Sequence, residues 1–166
     1  MEARLSKPDP EPFQLSLRIR HPSMDPADIS RTFKIEAEHS FRAGGPRTSS
    51  SGSATASVYS ESYWLGVLKP LGPLVDVSFP GDQRSQIAQK QLAQATRSLT
   101  WALALRTSRF FAPHKDFLRR VRSEGGEVTL LVTIYNGEVS SFTLAPEASQ
   151  LFGDLGIAVE FELASE

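Results

Sequence analysis

The stretch Phe13–Phe33, FQLSLRIRHPSMDPADISRTF, decides the fold class. It opens on a strict alternation, with Phe13, Leu15, Leu17 and Ile19 on one side and Gln14, Ser16, Arg18 and Arg20 on the other. A period of two belongs to a β-strand that has one face on a core and one in water. The period then changes. Asp25 precedes Pro26, a favoured first helical residue because its missing N–H would have no intrahelical partner, and Asp28 lies in the first turn, where the helix dipole favours a carboxylate. A short helix to about Phe33 is predicted, with Ile29 and Phe33 inside at i, i+4 spacing.

The far end of the chain echoes this order. VTLLVTIY at 128–135 is apolar on both faces, as a central strand would be, and Asn136-Gly137 tolerates the positive φ of a type I′ turn, which predicts a hairpin returning through VSSFTL. Pro146 opens a short helix with Leu151 and Phe152 inside, and Gly156 caps it. IAVEFEL at 157–163 then alternates Ile157, Val159, Phe161 and Leu163 against Glu160 and Glu162. Strand, proline-started helix and strand thus occur twice. The pattern predicts an α+β fold: an antiparallel or mixed β-sheet with helices packed on one face, of ferredoxin-like character with a pseudo-repeat. With the first and last strands as neighbours, Arg18 and Arg20 would face Glu160 and Glu162.

Between these halves, the segment at 42–62, RAGGPRTSSSGSATASVYSES, buries little and reads as a flexible loop. A strand is expected around Tyr63 to Leu68. The next residues are broken by Pro70, Pro73 and Pro80. Ala88, Leu92, Ala95, Leu99 and Ala102 predict a long amphipathic helix over 82–106. A further helix from about Pro113 to Ser123 should bury Phe117, Leu118 and Val121, show Lys115, Arg119, Arg120 and Arg122 to water, and end at Gly125-Gly126. Residues 1–12, with three prolines, read as a mobile tail before a single domain at 13–163.

Composition narrows the chemistry. With 166 residues and no cysteine, the chain is one domain in size and can hold no disulfide, thiolate nucleophile, iron–sulfur cluster or cysteine zinc site. It shows neither a signal-type apolar segment nor an apolar run near the roughly 20 residues of a membrane helix, so a cytoplasmic protein with no membrane partner is expected. The net charge of -1 hides an asymmetry: residues 1–122 hold all 18 Lys and Arg against 11 acids, and residues 123–166 hold 8 acids and no base. The two parts carry +7 and -8. Such a chain either neutralises itself or presents an acidic surface to a basic partner.

Candidate sites are few. His21, His39 and Asp25 or Glu38 match no zinc spacing, no G-x-S-x-G elbow is present, and no cofactor is implied. Arg119, Arg120 and Arg122 lack the interleaved exposed aromatics of a nucleic-acid surface, so a nucleic-acid partner is not expected. RAGGPR at 42–47 is more interesting, since glycine-rich backbone between Arg42 and Arg47 could offer N–H groups and guanidinium forks to an anion.

In order and spacing, Asp25-Pro26, Phe41-Arg42-Ala43-Gly44, Trp64 and Leu155-Gly156 resemble the bacterial family known as domain of unknown function 4279. The resemblance covers about residues 13–163. The chain departs from it at Phe33-Lys34-Ile35, where a leucine-glycine pair is usual, and in its long serine-rich segment. The resemblance implies no established activity, but it groups Arg42, Gly44 and Trp64 as one feature, with an arginine stacked near the tryptophan. The expectation is a non-enzymatic binding domain for a protein partner or small ligand, in a specific version an immunity-like protein. Its rival is a small-molecule sensor or enzyme with an anion pocket at the candidate ligand residues His39, Arg42, Gly44 and Trp64. A homodimer through an exposed sheet edge is a third arrangement the sequence allows.

Overall fold

The computed structural model describes residues 13–48, 52–69, 103, 106–135, 144 and 146–164. The opening alternation forms β1 (Phe13–His21), and the Asp25-Pro26 start forms α1 (Pro26–Phe33). The Asp25 side chain accepts from the Ala27 N–H at 2.9 Å, which makes Asp25 the N-cap of this helix. After α1 come β2 (His39–Phe41), β3 (Pro46–Thr48), β4 (Ala54–Val58) and β5 (Ser62–Val67). A π-helical turn (Arg106–Phe111) and a 3-10 turn (Ala112–His114) lead into α2 (Lys115–Ser123), followed by β6 (Glu127–Tyr135), α3 (Pro146–Leu155) and β7 (Ile157–Ala164).

Five strands make one mixed sheet in the order β2-β5-β1-β6-β7, and β3-β4 form a separate two-stranded arm. β1 pairs antiparallel with both β5 and β6, β2 pairs antiparallel with β5, and β6 pairs parallel with β7. The α+β class with helices against one sheet face therefore holds. The register puts Leu15, Leu17 and Ile19 of β1 beside Trp64 and Gly66 of β5 and beside Val128, Leu130 and Val132 of β6. On this face Ile29 and Phe33 of α1, Leu118 and Val121 of α2, and Ala148, Phe152 and Leu155 of α3 complete one apolar cluster. Leu103, within the stretch read as a long helix, is helical and buried in the same cluster; the rest of that helix up to Leu105 lies outside the described residues.

The ends of the helices follow from their last residues. Beyond α2, the Gly126 N–H reaches the Val121 carbonyl at 2.8 Å and the Gly125 N–H reaches Arg122 at 3.0 Å, with Gly125 at φ +86. This pair of bonds is the Schellman arrangement, and the positive φ is why a glycine stands there. At Gly66 the reason is space: a Cβ would lie 2.7 Å from the indole Cζ2 of Trp64, so the glycine leaves room for that ring along the sheet.

Four expectations need correction. β1 and β7 are not neighbours, because β6 lies between them, yet Arg18 still bonds Glu160 at 2.6 Å by reaching across β6. Arg20 goes instead to Glu61, at 4.0 Å. The stretch read as a loop contains the β3-β4 arm, whose base is held by the Tyr59 N–H to Gly45 carbonyl bond (3.0 Å) and the Gly44 N–H to Tyr59 carbonyl bond (2.8 Å). The alternation in β7 predicted four inward residues, but Phe161 and Leu163 are exposed, Leu163 by 83%. The Asn136-Gly137 hairpin lies outside the described residues.

Candidate functional site

Residues grouped by the sequence separate in the structure. Trp64 is fully buried on the helix side of the sheet, where its indole N–H donates to Ser30 Oγ of α1 at 2.9 Å and its ring meets Phe33 at 6.2 Å. His39 and Phe41 pair with Leu65 and Tyr63 and so project from the opposite face, and His39 is exposed. Arg42, 66% exposed, reaches Asp25 Oδ2 at 3.2 Å and ties the β2–β3 turn to the N-cap of α1. The same carboxylate caps the helix through its other oxygen, so one residue serves both contacts.

RAGG is a turn whose donors are used internally. The Ala43 N–H goes to Ser62 Oγ (3.0 Å), the Gly44 N–H to the Tyr59 carbonyl and the Gly45 N–H to the Arg42 carbonyl (3.0 Å). Gly44 sits at φ +76, the left-handed region that favours glycine. An anion cradle needs free N–H groups turned toward the ligand, and these three point at protein oxygens.

What does gather around His39 is aromatic. Phe41 stacks on Tyr59 (3.9 Å, 15° between planes) and on Tyr63 (5.1 Å, 13°), His39 meets Phe41 and Tyr63 edge-on at 5.9 and 5.8 Å, and Arg47 lies over Tyr59 at 5.5 Å. The arginine–aromatic contact expected between Arg42 and Trp64 is thus made by Arg47 and Tyr59 instead. Sequence reasoning missed this stack, although Phe41 and Tyr63 had a detectable signal: both belong to strands and fall on one face. Tyr59 had none, since it lies in a serine-rich segment and touches Phe41 only through folding. The stack clamps the root of the β3-β4 arm, and its rings are already paired with one another.

His21 is the other notable group. It is 3% exposed, and its Nδ1 accepts the backbone N–H groups of Ser23 (3.1 Å) and Met24 (2.8 Å), fixing the turn into α1. With Nδ1 an acceptor, the neutral ring carries its proton on Nε2, which lies 3.2 Å from Glu124 Oε2. That contact has ion-pair distance but is not aligned as a hydrogen bond, which leaves Nε2 without a bonded partner. A Cβ on Gly126 would lie 2.7 Å from the imidazole, so the Gly125-Gly126 stop of α2 also makes room for this histidine. Half-buried His114 packs on Phe33 at 5.0 Å. Burial, and then the nearby Lys34 charge, hold its pKa below the ordinary histidine value.

Among the described residues no three His, Asp or Glu side chains cluster to hold a metal ion, and no helix is long and apolar enough to cross a membrane. No family model, no curated protein and no solved structure matches the chain.

Proposed function

We propose that this protein is a non-enzymatic binding domain whose target is another protein, as the resemblance to domain of unknown function 4279 leaves open. The observation that carries the reading is the dispersal of His39, Arg42 and Trp64: a partner of Asp25, a core residue and a member of an aromatic stack do not converge on a reacting atom. The occupied donors of Ala43, Gly44 and Gly45 weigh against the rival anion pocket. An immunity-like role, the neutralising of a basic toxin, accords with the charge of -8 on residues 123–166.

A thermal-shift screen with nucleotides, sugar phosphates and divalent metal ions tests the reading. No shift is expected with any of them. A saturable rise in Tm with one, abolished by Arg42→Ala, would instead establish the anion-pocket alternative.

A further inference from the structure

The edges of the buried His21 ring meet three different neighbours. Nδ1 accepts the backbone N–H groups of Ser23 at 3.1 Å and Met24 at 2.8 Å, and so holds the β1–α1 turn. Cδ2 lies against Gly126, where a Cβ would come within 2.7 Å of it. Nε2 is 3.2 Å from Glu124 Oε2, a half-exposed carboxylate, with no aligned hydrogen bond. The turn carries more than itself. Its next residue, Asp25, uses one carboxylate oxygen to cap α1 through the Ala27 N–H and the other to hold Arg42 at 3.2 Å. Opposite His21 in β5, Ser62 Oγ accepts the Ala43 N–H. The start of α1 and the root of the β3-β4 arm therefore meet beside this imidazole.

We propose that His21 is a proton-operated latch: neutral, it holds the β1–α1 turn closed, and protonated, it gives up that turn for Glu124 and frees the Asp25 junction of α1 and the arm. The neutral ring carries its proton on Nε2, so a second proton has one place to go, the lone pair on Nδ1. An Nδ1–H accepts nothing and points at two N–H donors, so the bonds from Ser23 and Met24 are both lost. In exchange the imidazolium gains a charge-assisted contact with Glu124. Each state thus has contacts the other lacks, which is what a two-state device requires. The charged groups around the ring come from every segment that packs there. Glu124, beyond α2, has Arg120 Nε 4.0 Å from its other oxygen; Arg20 of β1 is paired with Glu61 and stands opposite Glu127 of β6; Asp25 of the turn is held by Arg42. Among the described residues, Glu124 is the one within ion-pair distance of the ring. The two turn bonds belong to the neutral state, so they are present at high pH and removed by acid.

The test follows the full chain from about pH 8 to about pH 5, the range in which histidine changes charge. Long-range proton–nitrogen spectra of the imidazoles read tautomer and charge, and amide protection, corrected for the intrinsic effect of pH, reads the turn. At the upper end His21 should show the Nε2–H tautomer, with the Ser23 and Met24 amides protected. Appearance of the imidazolium should coincide with a loss of protection at residues 23, 24 and 27 of about ten- to hundredfold, the scale of two broken hydrogen bonds. His21→Asn should keep the turn protected throughout, since Asn Oδ1 accepts from the same two N–H groups and does not titrate. Glu124→Gln, at a half-exposed position, keeps the fold and should move the transition to lower pH, which decides the matter even where the buried variant fails to fold. An Nδ1–H tautomer at the upper end, an imidazolium with the turn still protected, a neutral ring down to acid unfolding, the same loss in His21→Asn, or an unmoved transition in Glu124→Gln would each overturn the proposal.

Discussion

The two strand–helix–strand halves leave their helices in the same way and with different residues. α1 ends at Lys34, at φ 55 and ψ 38, and α3 ends at Gly156, at φ +67. Each turn needs one left-handed residue to reverse the chain toward an isoleucine, Ile35 in one half and Ile157 in the other. Glycine takes that conformation freely, whereas a residue with a Cβ is strained there by roughly 1–2 kcal/mol. Lys34 is the non-glycine residue with positive φ among those described. The first half holds this turn by other means: the Lys34 and Ile35 N–H groups both reach the Ser30 carbonyl, and the Ser30 hydroxyl accepts from buried Trp64. The lesson is that a strained exit persists where neighbouring packing over-determines it.

The most severe break in this comparison removes the packing. Trp64→Ala should cost about 3–5 kcal/mol, as truncation of a buried aromatic does, and should expose α1 to exchange before α3. Urea unfolding gives the first quantity and amide exchange the second; simultaneous loss of both helices would show that Trp64 does not support the first half in particular. Next is Gly156→Ala. Its Cβ would fall within 2.6 Å of Arg122 Cδ, at a positive φ, so a loss of about 1–2 kcal/mol is expected in the midpoint of chemical unfolding. Lys34→Gly runs the other way. Relief of the strained turn, partly offset by the greater freedom of glycine in the unfolded chain, should stabilise by about 0.5–1 kcal/mol. A destabilisation on this substitution would mean that the two exits are not equivalent.

The smallest effect is one of pH. The folded value of His114 lies below that of the unfolded chain, so the unfolded chain binds this proton more tightly. The associated stability is present above the unfolded value of about 6.5 and is lost as pH falls through the lowered folded value. Replacing His114 with Gln should flatten that part of the stability profile, measured as Tm between pH 7 and 5. An unchanged slope would assign the acid sensitivity to other groups.

How much of this could be read in advance depended on the distance over which each feature is determined. β1, α1, α2, α3 and β6 were legible because their period and end signals are local: Asp25-Pro26, Gly125-Gly126 and Gly156 act within one turn of chain. Strand order was not, since nothing in FQLSLRIR tells whether β6 or β7 lies beside it. The Arg18–Glu160 pair was foreseen on the premise of adjacent strands; a long arginine side chain spans the intervening strand and makes it regardless. For the site, side-chain type was legible and side was not. His39 and Trp64 are separated by the sheet itself, since β2 sets Ser40 and not His39 opposite Trp64. The exposed end of β7 was hidden because alternation reports which residues share a face, not whether anything covers that face.

The central place of β1 has a consequence for the order of assembly during synthesis. Among the described strands it is the first to be synthesised, and its edges are closed by β5 and β6, segments made some 40 and 110 residues later. The Arg18 contact to Glu160 spans 142 positions. A nascent chain that has completed α1 therefore carries an amphipathic strand with both edges open, and its native sheet partners arrive from one side and then, much later, from the other. Slow translation between residues 68 and 127 would lengthen the interval in which that half-closed strand can pair wrongly.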